Sequence, residues 1–238
     1  MLNYKKYVLI VCPELGKYSY LFMKSVIFDL DGTLVDSQPL QFLAYKIAFD
    51  EIGLILSWDD WKDNWVKSSI NAYEWASIKN LIYDVEAIRK RKKEIYEKLV
   101  KSELKAKPGA ISLVRELSKN GFKLAVASSS RIESIELIVD LLFNNVFDVL
   151  QSDTELEKRK PHHEVFSVTM KKMNTSPSET IIIEDSISGY NAAIDSGAAC
   201  IICPDSTINP KYDFPKAQKI IFSLKELNLQ DIMSLLNK

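Results

Sequence analysis

The sequence predicts an α/β protein in which helices cover a parallel sheet. From residue 107 onward, short apolar runs alternate with segments whose apolar residues repeat at helical spacing, and this alternation is typical of a parallel sheet with crossover helices. Acidic or hydroxyl side chains also lie at the ends of three of the apolar runs. Because open parallel sheets bind ligands beyond the carboxyl ends of their strands, these side chains are expected to share one site. Between about 37 and 106 no convincing strand alternation occurs, and this segment is expected to be all helical.

The expected elements follow one another in a regular order. After a first buried strand and the helical segment, a helix is expected at 109–119, where Ile111, Val114 and Leu117 repeat at helical spacing before Gly121. The later strands are expected near 122–127, 146–150, 180–184, 199–203 and 218–222. The later helices are expected near 131–143, 161–173, 187–196 and 224–236.

The first apolar run is the most informative segment. Residues 26–37 read VIFDLDGTLVDS, so a buried strand ends in Asp29 and Asp31, and Gly32 and Thr33 follow at once. Residues at i and i+2 leave a strand on the same side. Two such carboxylates repel each other unless a cation intervenes, and the pair suits one nucleophilic and one proton-transferring carboxylate. A solvated turn at a strand end is the structural alternative for the aspartates alone.

Three later segments carry further polar side chains at matching places. Ser128 ends the apolar run FKLAVASSS, Lys160 precedes a proline at an expected helix start, and Glu184 and Asp185 end the run TIIIED. Each has a commonplace alternative, since strand-end hydroxyls often cap turns, and lysines and acid pairs are usually solvated. Their occurrence in this order, after Asp29, favours a shared site.

Taken together, these four segments resemble the signatures of the haloacid dehalogenase superfamily, whose members are mostly Mg²⁺-dependent phosphatases and phosphomutases. The resemblance implies a Rossmann-like, three-layer parallel-sheet core with an inserted all-helical cap domain. The core would comprise 23–36 and 107–238, the cap 37–106, and an N-terminal extension 1–22. The motif EDSxxG with a helical cap looks most like the β-phosphoglucomutase and phosphoglycolate phosphatase group.

The resemblance also implies a role for each motif residue. Asp29 would bind Mg²⁺ and attack phosphorus, and Asp31 would protonate the leaving oxygen and give its backbone carbonyl to the metal. Ser128 would donate to a phosphoryl oxygen, and Lys160 would neutralise charge between the nucleophile and the phosphate. The other implied residues are the metal ligands Glu184 and Asp185 and the substrate-binding residues Gly32, Thr33 and Ser129.

Three functions stay open at this point. The first is a Mg²⁺-dependent phosphatase of small phosphorylated metabolites, the second a β-phosphoglucomutase-like sugar phosphomutase, and the third a non-catalytic binding domain with the same fold. The sequence favours water as the final phosphoryl acceptor, because Gln41 stands where those mutases carry a histidine. The stretch NWVKSSINAYEW also lacks an arginine at the position where those mutases hold the distal phosphate of the sugar, and Lys67, the candidate replacement, cannot offer a planar bidentate fork.

Three further features are expected to be structural rather than functional. They lie in the helical segment and in the region after Lys160. Trp58, Trp61 and Trp65 form an aromatic stripe at helical spacing that is expected to be core rather than a substrate platform. The basic run RKRKK at 89–93 is expected to be a solvated helix face rather than a nucleic-acid contact. The family's small residue or proline and Asp after the KP dipeptide are replaced by two histidines and a glutamate, and a metal site there is not expected.

Composition limits the remaining possibilities. The 238 residues are 47% hydrophobic and carry a formal net charge of −1, so nothing in the charge balance favours nucleic acid or an anionic membrane. Cys200 and Cys203 lie in an apolar run that is expected to be a strand rather than half a zinc site. We expect a cytoplasmic monomer or weak dimer that binds a small phosphorylated substrate.

Overall fold

The computed structural model describes residues 7–11, 18–22, 24–67, 70, 72–80, 82–205 and 213–236, with the backbone alone at 7–11, 18–22, 66 and 67. The expected N-terminal extension is therefore described only in part. Its strands β1 (Tyr7–Val11) and β2 (Tyr18–Phe22) pair antiparallel in a two-stranded sheet of their own.

The main sheet has six strands, and every pairing in it is parallel. Its strands are β3 (Ser25–Phe28), β4 (Lys123–Ser128), β5 (Val149–Ser152), β6 (Thr180–Glu184), β7 (Ala199–Ile202) and β8 (Lys219–Ile220). Their spatial order is β5-β4-β3-β6-β7-β8, so the first motif strand lies at the centre, between the two other strands that end in motif residues. The predicted α/β fold class is confirmed.

The helices occupy the connections between these strands. The helices between β3 and β4 are α1 (Gln38–Asp50), α2 (Trp58–Asp60), a π-helix (Trp61–Lys67), α3 (Ala72–Ile78), α4 (Val85–Glu103) and α5 (Ala110–Lys119). Those after β4 are α6 (Ile132–Phe143), α7 (Glu164–Met173), α8 (Ile187–Asp195) and α9 (Leu229–Leu236). None of the helices in the described part of the chain combines the length and apolar character needed to cross a bilayer.

The sheet is buried on both faces, which explains why its strands read as continuous apolar runs. Val26 and Phe28 pack with α5, α6 and α9 on one face, whereas Ile27 between them packs with α7 and α8 on the other. Successive side chains of a strand alternate between faces, so each central strand contributes to both apolar clusters. This is the three-layer arrangement that the sequence predicts.

Three boundaries differ from the sequence expectation. The last helix, expected near 224–236, begins at Leu229, because Leu224–Glu226 form a separate 3₁₀ turn. Strand β5 begins at Val149 rather than near 146, because Val146 still closes the turn after α6 and Phe147 packs against Phe28 and Phe143. Helix α7 begins at Glu164 rather than at the proline, since turns occupy 160–163.

The segment between β3 and α5 is helical, as predicted. It joins the sheet through two connecting segments that lie side by side. Val35 bridges Ala106 antiparallel, the Asp36 amide donates to the Lys105 carbonyl at 3.0 Å, and helix α1 starts only two residues later. Helices α1 and α4 pack against each other along this segment.

The tryptophans of the helical segment lie in its core. Trp61 is buried, Trp58 and Trp65 are partly buried, and the rings of Trp61 and Trp65 stack with their centroids 5.2 Å apart. The expected single α-helical stripe is interrupted, because the backbone changes from an α-helical turn to the π-helix at Trp61. The expectation that this aromatic stripe belongs to the core agrees with the structure.

Candidate active site

The carboxyl ends of β3, β4 and β6 bring the motif residues together. Asp29 follows β3 directly, Ser128 ends β4 and Asp185 follows β6. All three side chains are buried, with 6%, 1% and 8% of their surfaces exposed. A polar cluster this deep needs partners within the protein, because unpaired buried charges are costly.

Lys160 supplies the cation of this cluster. Its ammonium lies 2.7 Å from Asp29 and 2.6 Å from Glu184, and it donates to the Ala127 carbonyl at 3.0 Å. Although burial alone would lower the pKa of Lys160, the two facing carboxylates raise it above its ordinary value. Lys160 therefore stays charged, and it links strand ends that are far apart in the sequence.

The carboxylates outnumber this cation. Oxygens of Asp29, Glu184 and Asp185 all lie within 4.8 Å of one another. Burial, followed by repulsion from the neighbouring carboxylates, raises the pKa of Asp29 and of Asp185 well above the ordinary value, and Lys160 only partly opposes this. Among the described residues the cluster thus has more carboxylates than cations, and a further cation would stabilise it.

Glu184 is held in place by several protein donors. One oxygen pairs with Lys160, and the other accepts from the Asp185 amide at 3.1 Å and the Ser186 hydroxyl at 3.1 Å. Ser186 also caps α8 by accepting from the Gly189 amide at 3.0 Å. A methyl group on Gly189 would lie 1.9 Å from the Glu184 carboxyl carbon, so the glycine of the EDSxxG motif gives this carboxylate its space.

Gly32 and Thr33 lie against Asp185. Gly32 has a left-handed φ of +95°, and a Cβ there would approach an Asp185 oxygen to 2.2 Å. The buried Thr33 hydroxyl lies 3.5 Å from the other Asp185 oxygen. The turn after Asp31 therefore needs glycine both for its backbone conformation and for its close approach to Asp185.

Asp31 is surrounded by hydroxyl groups. The Ser130 hydroxyl donates to it at 2.6 Å, the Ser128 hydroxyl lies 3.4 Å away, and Ser37 donates to its other oxygen. Ser37 and Ser130 were not among the residues singled out from the sequence. Ser37 is the last residue of the first motif, but no local pattern separates Ser130 from the two serines before it.

Ser129 makes a different contact from its neighbours. Its hydroxyl donates to Asp153 at 2.6 Å, and Asp153 also accepts from the backbone amide of Lys160 at 3.3 Å. The resemblance implies that Ser129 binds substrate, but in this structure its hydroxyl already donates to Asp153.

The carboxylate cluster fits a hard divalent cation. Asp29, Glu184 and Asp185 offer only oxygen atoms, and Mg²⁺ prefers oxygen ligands, commonly a few carboxylates together with substrate phosphate. Burial, and then repulsion between the carboxylates, raises the pKa values of Asp29 and Asp185, and a bound cation would favour the charged forms of both.

A basic cavity of about 390 Å³ lies between the helical segment and the start of α6. Its wall includes Gln41, Tyr96 and Ser130. Its charged residues are five cations and one anion, namely Arg89, Lys90, Lys92, Lys93, Arg131 and Glu86. Ser130 thus faces both the cavity and Asp31.

The expectation that 89–93 is only a solvated face is wrong for Lys92. Its side chain is partly buried, donates to Gln41, and lies 5.0 Å and 4.5 Å from the ring centroids of Tyr45 and Tyr96. Burial lowers the pKa of Lys92 to about 8, although the Asp31 charge opposes the shift. Lys67 cannot be compared, because its side chain lies outside the described residues.

A family model described as haloacid dehalogenase-like hydrolase matches residues 26–203. The chain belongs to this family. The predicted resemblance is therefore confirmed, and with it the expectation that the protein is an enzyme of the HAD-like hydrolase type.

Individual relatives match most of this chain, and a solved structure shares its fold. It is 29% identical to the Phosphorylated carbohydrates phosphatase of Thermotoga maritima over 182 residues (74% of this chain, 82% of the relative), and 28% identical to the Beta-phosphoglucomutase of Bacillus subtilis over 186 residues (74% and 80%). The fold superposes on CbbY from Rhodobacter sphaeroides, solved in complex with xylulose 1,5-bisphosphate, with a TM-score of 0.78 and 22% identity, covering 89% and 99% of the two chains.

Proposed function

We propose that this protein is a Mg²⁺-dependent phosphatase of small phosphorylated metabolites, which works through an aspartyl-phosphate on Asp29. The observation that carries the proposal is the buried cluster in which Asp29 faces Lys160 at 2.7 Å and lies within 4.8 Å of Glu184 and Asp185. A carboxylate in such a place can act as a nucleophile toward phosphorus once cations have drawn the phosphate dianion to it.

The two aspartates of the first motif divide the chemistry. An Asp29 oxygen forms a bond to phosphorus while the ester P–O bond breaks, and Asp31 gives its proton to the leaving oxygen. A water molecule then attacks the phosphorus of the aspartyl-phosphate, Asp31 takes the proton of that water, and the bond to Asp29 breaks. Inorganic phosphate leaves, and both side chains return to their starting states.

The neighbouring donors stabilise the charge that develops on the phosphoryl oxygens. Lys160 and the Ser128 hydroxyl are fixed by burial and by their hydrogen bonds, so little reorganisation is needed during the reaction. Asp29, Glu184 and Asp185, with the Asp31 carbonyl, are the groups that would hold Mg²⁺. A bound Mg²⁺ supplies positive charge that offsets the repulsion between the phosphate and these carboxylates.

The basic cavity supports a phosphorylated carbohydrate as the substrate. Ser130 lines it and donates to Asp31, the residue that protonates the leaving oxygen, so the leaving group would extend into it. The names of two relatives agree, one a phosphatase of phosphorylated carbohydrates and the other solved with a sugar bisphosphate. We propose in addition that residues 37–106 form a cap over the site, because Gln41 and the cations of α4 line this cavity from the helical side.

Phosphate release from p-nitrophenyl phosphate and from a panel of sugar phosphates, with Mg²⁺ and after chelation, tests the proposal. We expect turnover that stops on chelation and returns with Mg²⁺. D29N should be inactive, because the amide has nearly the same shape but is a poor nucleophile. N191A, at an exposed position of α8, is the control and should keep its activity. Substantial Mg²⁺-dependent turnover by purified D29N would rule the mechanism out.

A further inference from the structure

The carboxyl end of β5 carries a buried acid that the proposed chemistry does not use. Asp153 follows β5 in a short 3₁₀ turn and has no exposed surface. One carboxylate oxygen accepts hydrogen bonds from the Ser129 hydroxyl at 2.6 Å and the Lys160 amide at 3.3 Å. The other oxygen is buried without a hydrogen-bond partner among the described residues.

Ser152, the residue before it, reaches the same loop. Its side chain is fully buried, and its hydroxyl donates to the Ser130 carbonyl at 2.6 Å. The same oxygen accepts from the Thr154 amide at 3.1 Å, which fixes the 3₁₀ turn around Asp153. The end of β5 therefore holds the loop after β4 at two consecutive residues, Ser129 and Ser130.

These contacts connect the two catalytic arms of the site. The loop after β4 carries Ser130, whose hydroxyl donates to Asp31 at 2.6 Å, and the segment after β5 carries Lys160, whose ammonium lies 2.7 Å from Asp29. The Asp153 carboxylate accepts a hydrogen bond from the Ser129 hydroxyl of the first arm and another from the Lys160 backbone amide of the second. Asp153 thus hydrogen-bonds to both arms, and neither of these bonds involves Asp29 or Asp31.

Fold stability alone does not explain a carboxylate here. Within the described part of the chain Asp153 forms no ion pair. Burying a carboxylate with one oxygen unpaired costs free energy that an apolar or amide side chain would avoid. A carboxylate buried at such a cost is better explained by a role in the site.

We propose that Asp153 is a positioning residue, which sets the spacing between the Ser128–Ser130 loop and Lys160 and so holds Ser130 on Asp31 and Lys160 on Asp29. Its partner Ser129 is part of this device and does not bind substrate. This inference rests on the proposed function, because the two arms matter through the roles of Asp29 and Asp31.

The kinetic test compares D153A and D153N with T180V. Thr180 is equally buried but lies at the opposite end of the sheet, where it contacts Ser25 and Ser176. D153A should lower kcat about tenfold or more while KM changes little, because misplaced groups lose transition-state contacts. D153N keeps one acceptor and should recover part of kcat, whereas T180V should lose stability but keep kcat.

Two outcomes would overturn the inference. One is a D153A enzyme with the wild-type kcat, and the other is a kcat loss in T180V that matches D153A at equal loss of stability. The double variant S129A/D153A should be no slower than D153A, because Ser129 is proposed to act through Asp153. Additive losses in the double variant would contradict that.

A structural readout separates this inference from the proposed function. In crystal structures of D153A, or of D153N should D153A fail to fold, the distance from Lys160 Nζ to Asp29 should exceed the 2.7 Å found here, while T180V keeps it. An unchanged distance together with an unchanged kcat would refute the positioning role. If wild-type protein hydrolyses no phosphate ester, the proposed function fails, but the measured distance still decides whether Asp153 positions Lys160.

Discussion

The Ser130 hydroxyl donates a 2.6 Å hydrogen bond to the Asp31 carboxylate. Ser37 donates to the other oxygen of the same carboxylate, so both of its oxygens are oriented by neutral donors. A carboxylate fixed in this way can present one direction for proton transfer, both to a leaving group and from a water molecule. The proton-transfer role proposed for Asp31 therefore depends on residues from two separate parts of the chain.

This arrangement predicts a kinetic burst in D31N. p-Nitrophenolate leaves without a proton, so Asp29 should still be phosphorylated by p-nitrophenyl phosphate, whereas hydrolysis of the aspartyl-phosphate slows about 10²-fold or more without its base. Stopped-flow absorbance should show about one equivalent of nitrophenol per site, followed by slow turnover. Sugar phosphates, which need the proton, should give no burst. D29N is the control and should give no burst with either substrate. A D31N enzyme that shows no burst and hydrolyses p-nitrophenyl phosphate at the wild-type steady-state rate would contradict the assignment.

Metal binding should reverse the stability cost of Asp185. Burial and the neighbouring carboxylates raise the folded-state pKa of Asp185, so its penalty is complete above that pKa and fades as pH falls from there toward the ordinary value of 3.8. Without metal, D185N should therefore melt about 2–4 °C higher than wild type for each kcal/mol relieved. Mg²⁺ should raise the melting temperature of wild type but not of D185N, as differential scanning calorimetry can measure. A Mg²⁺ shift that survives in D185N would remove Asp185 from the metal site.

Gly189 should tolerate no side chain. In G189A the methyl group would meet the Glu184 carboxylate, which cannot move aside because Lys160 and Ser186 hold it. We expect a loss of about 1–3 kcal/mol in the free energy of unfolding and a large fall in kcat. Urea denaturation and phosphate release measure the two effects. N191A, on the exposed face of the same helix, should change neither, and a G189A enzyme with wild-type stability would show that Glu184 can move.

We expect Lys92 to lower the stability of the fold but to strengthen substrate binding. Its folded-state pKa of about 8 lies below the ordinary 10.5, so its penalty is complete below about pH 8 and fades as pH rises toward 10.5. K92M should therefore melt higher than wild type at pH 7, and the advantage should shrink above pH 8. Its KM for a sugar phosphate should rise, because the cavity loses a cation. K98M, exposed on the same helix and outside the cavity, is the control. An unchanged KM in K92M would place the substrate elsewhere.

The sheet and its order of elements could be predicted because burial on both faces leaves a continuous apolar signature. Ile181, Ile182 and Ile183 are all fully buried, and no turn residue interrupts them. Boundaries were less predictable where an apolar residue serves a neighbouring element, as Phe147 does by packing beneath Phe28 before β5 begins.

The site could be predicted only as far as its motifs are local. Asp29, Lys160 and Asp185 follow recognisable strand or helix signals and are brought together at one edge of the sheet. The three serines after β4 look alike in sequence, and only tertiary partners distinguish Ser130, which meets Asp31, from Ser129, which meets Asp153. The partial burial of Lys92 likewise depends on α1, which packs against its helix.

Water, rather than a sugar hydroxyl, should accept the phosphoryl group. The Gln41 oxygen accepts a hydrogen bond from Lys92, and a glutamine amide cannot carry a proton toward Asp31 as the histidine expected at this position in a mutase could. With β-glucose 1-phosphate and a glucose bisphosphate activator, we expect free phosphate and little glucose 6-phosphate. Acetyl phosphate, which has no sugar, should also be hydrolysed, because water completes the reaction. Coupled-enzyme detection of glucose 6-phosphate measures the partition, and its efficient formation with little phosphate release would make the protein a mutase.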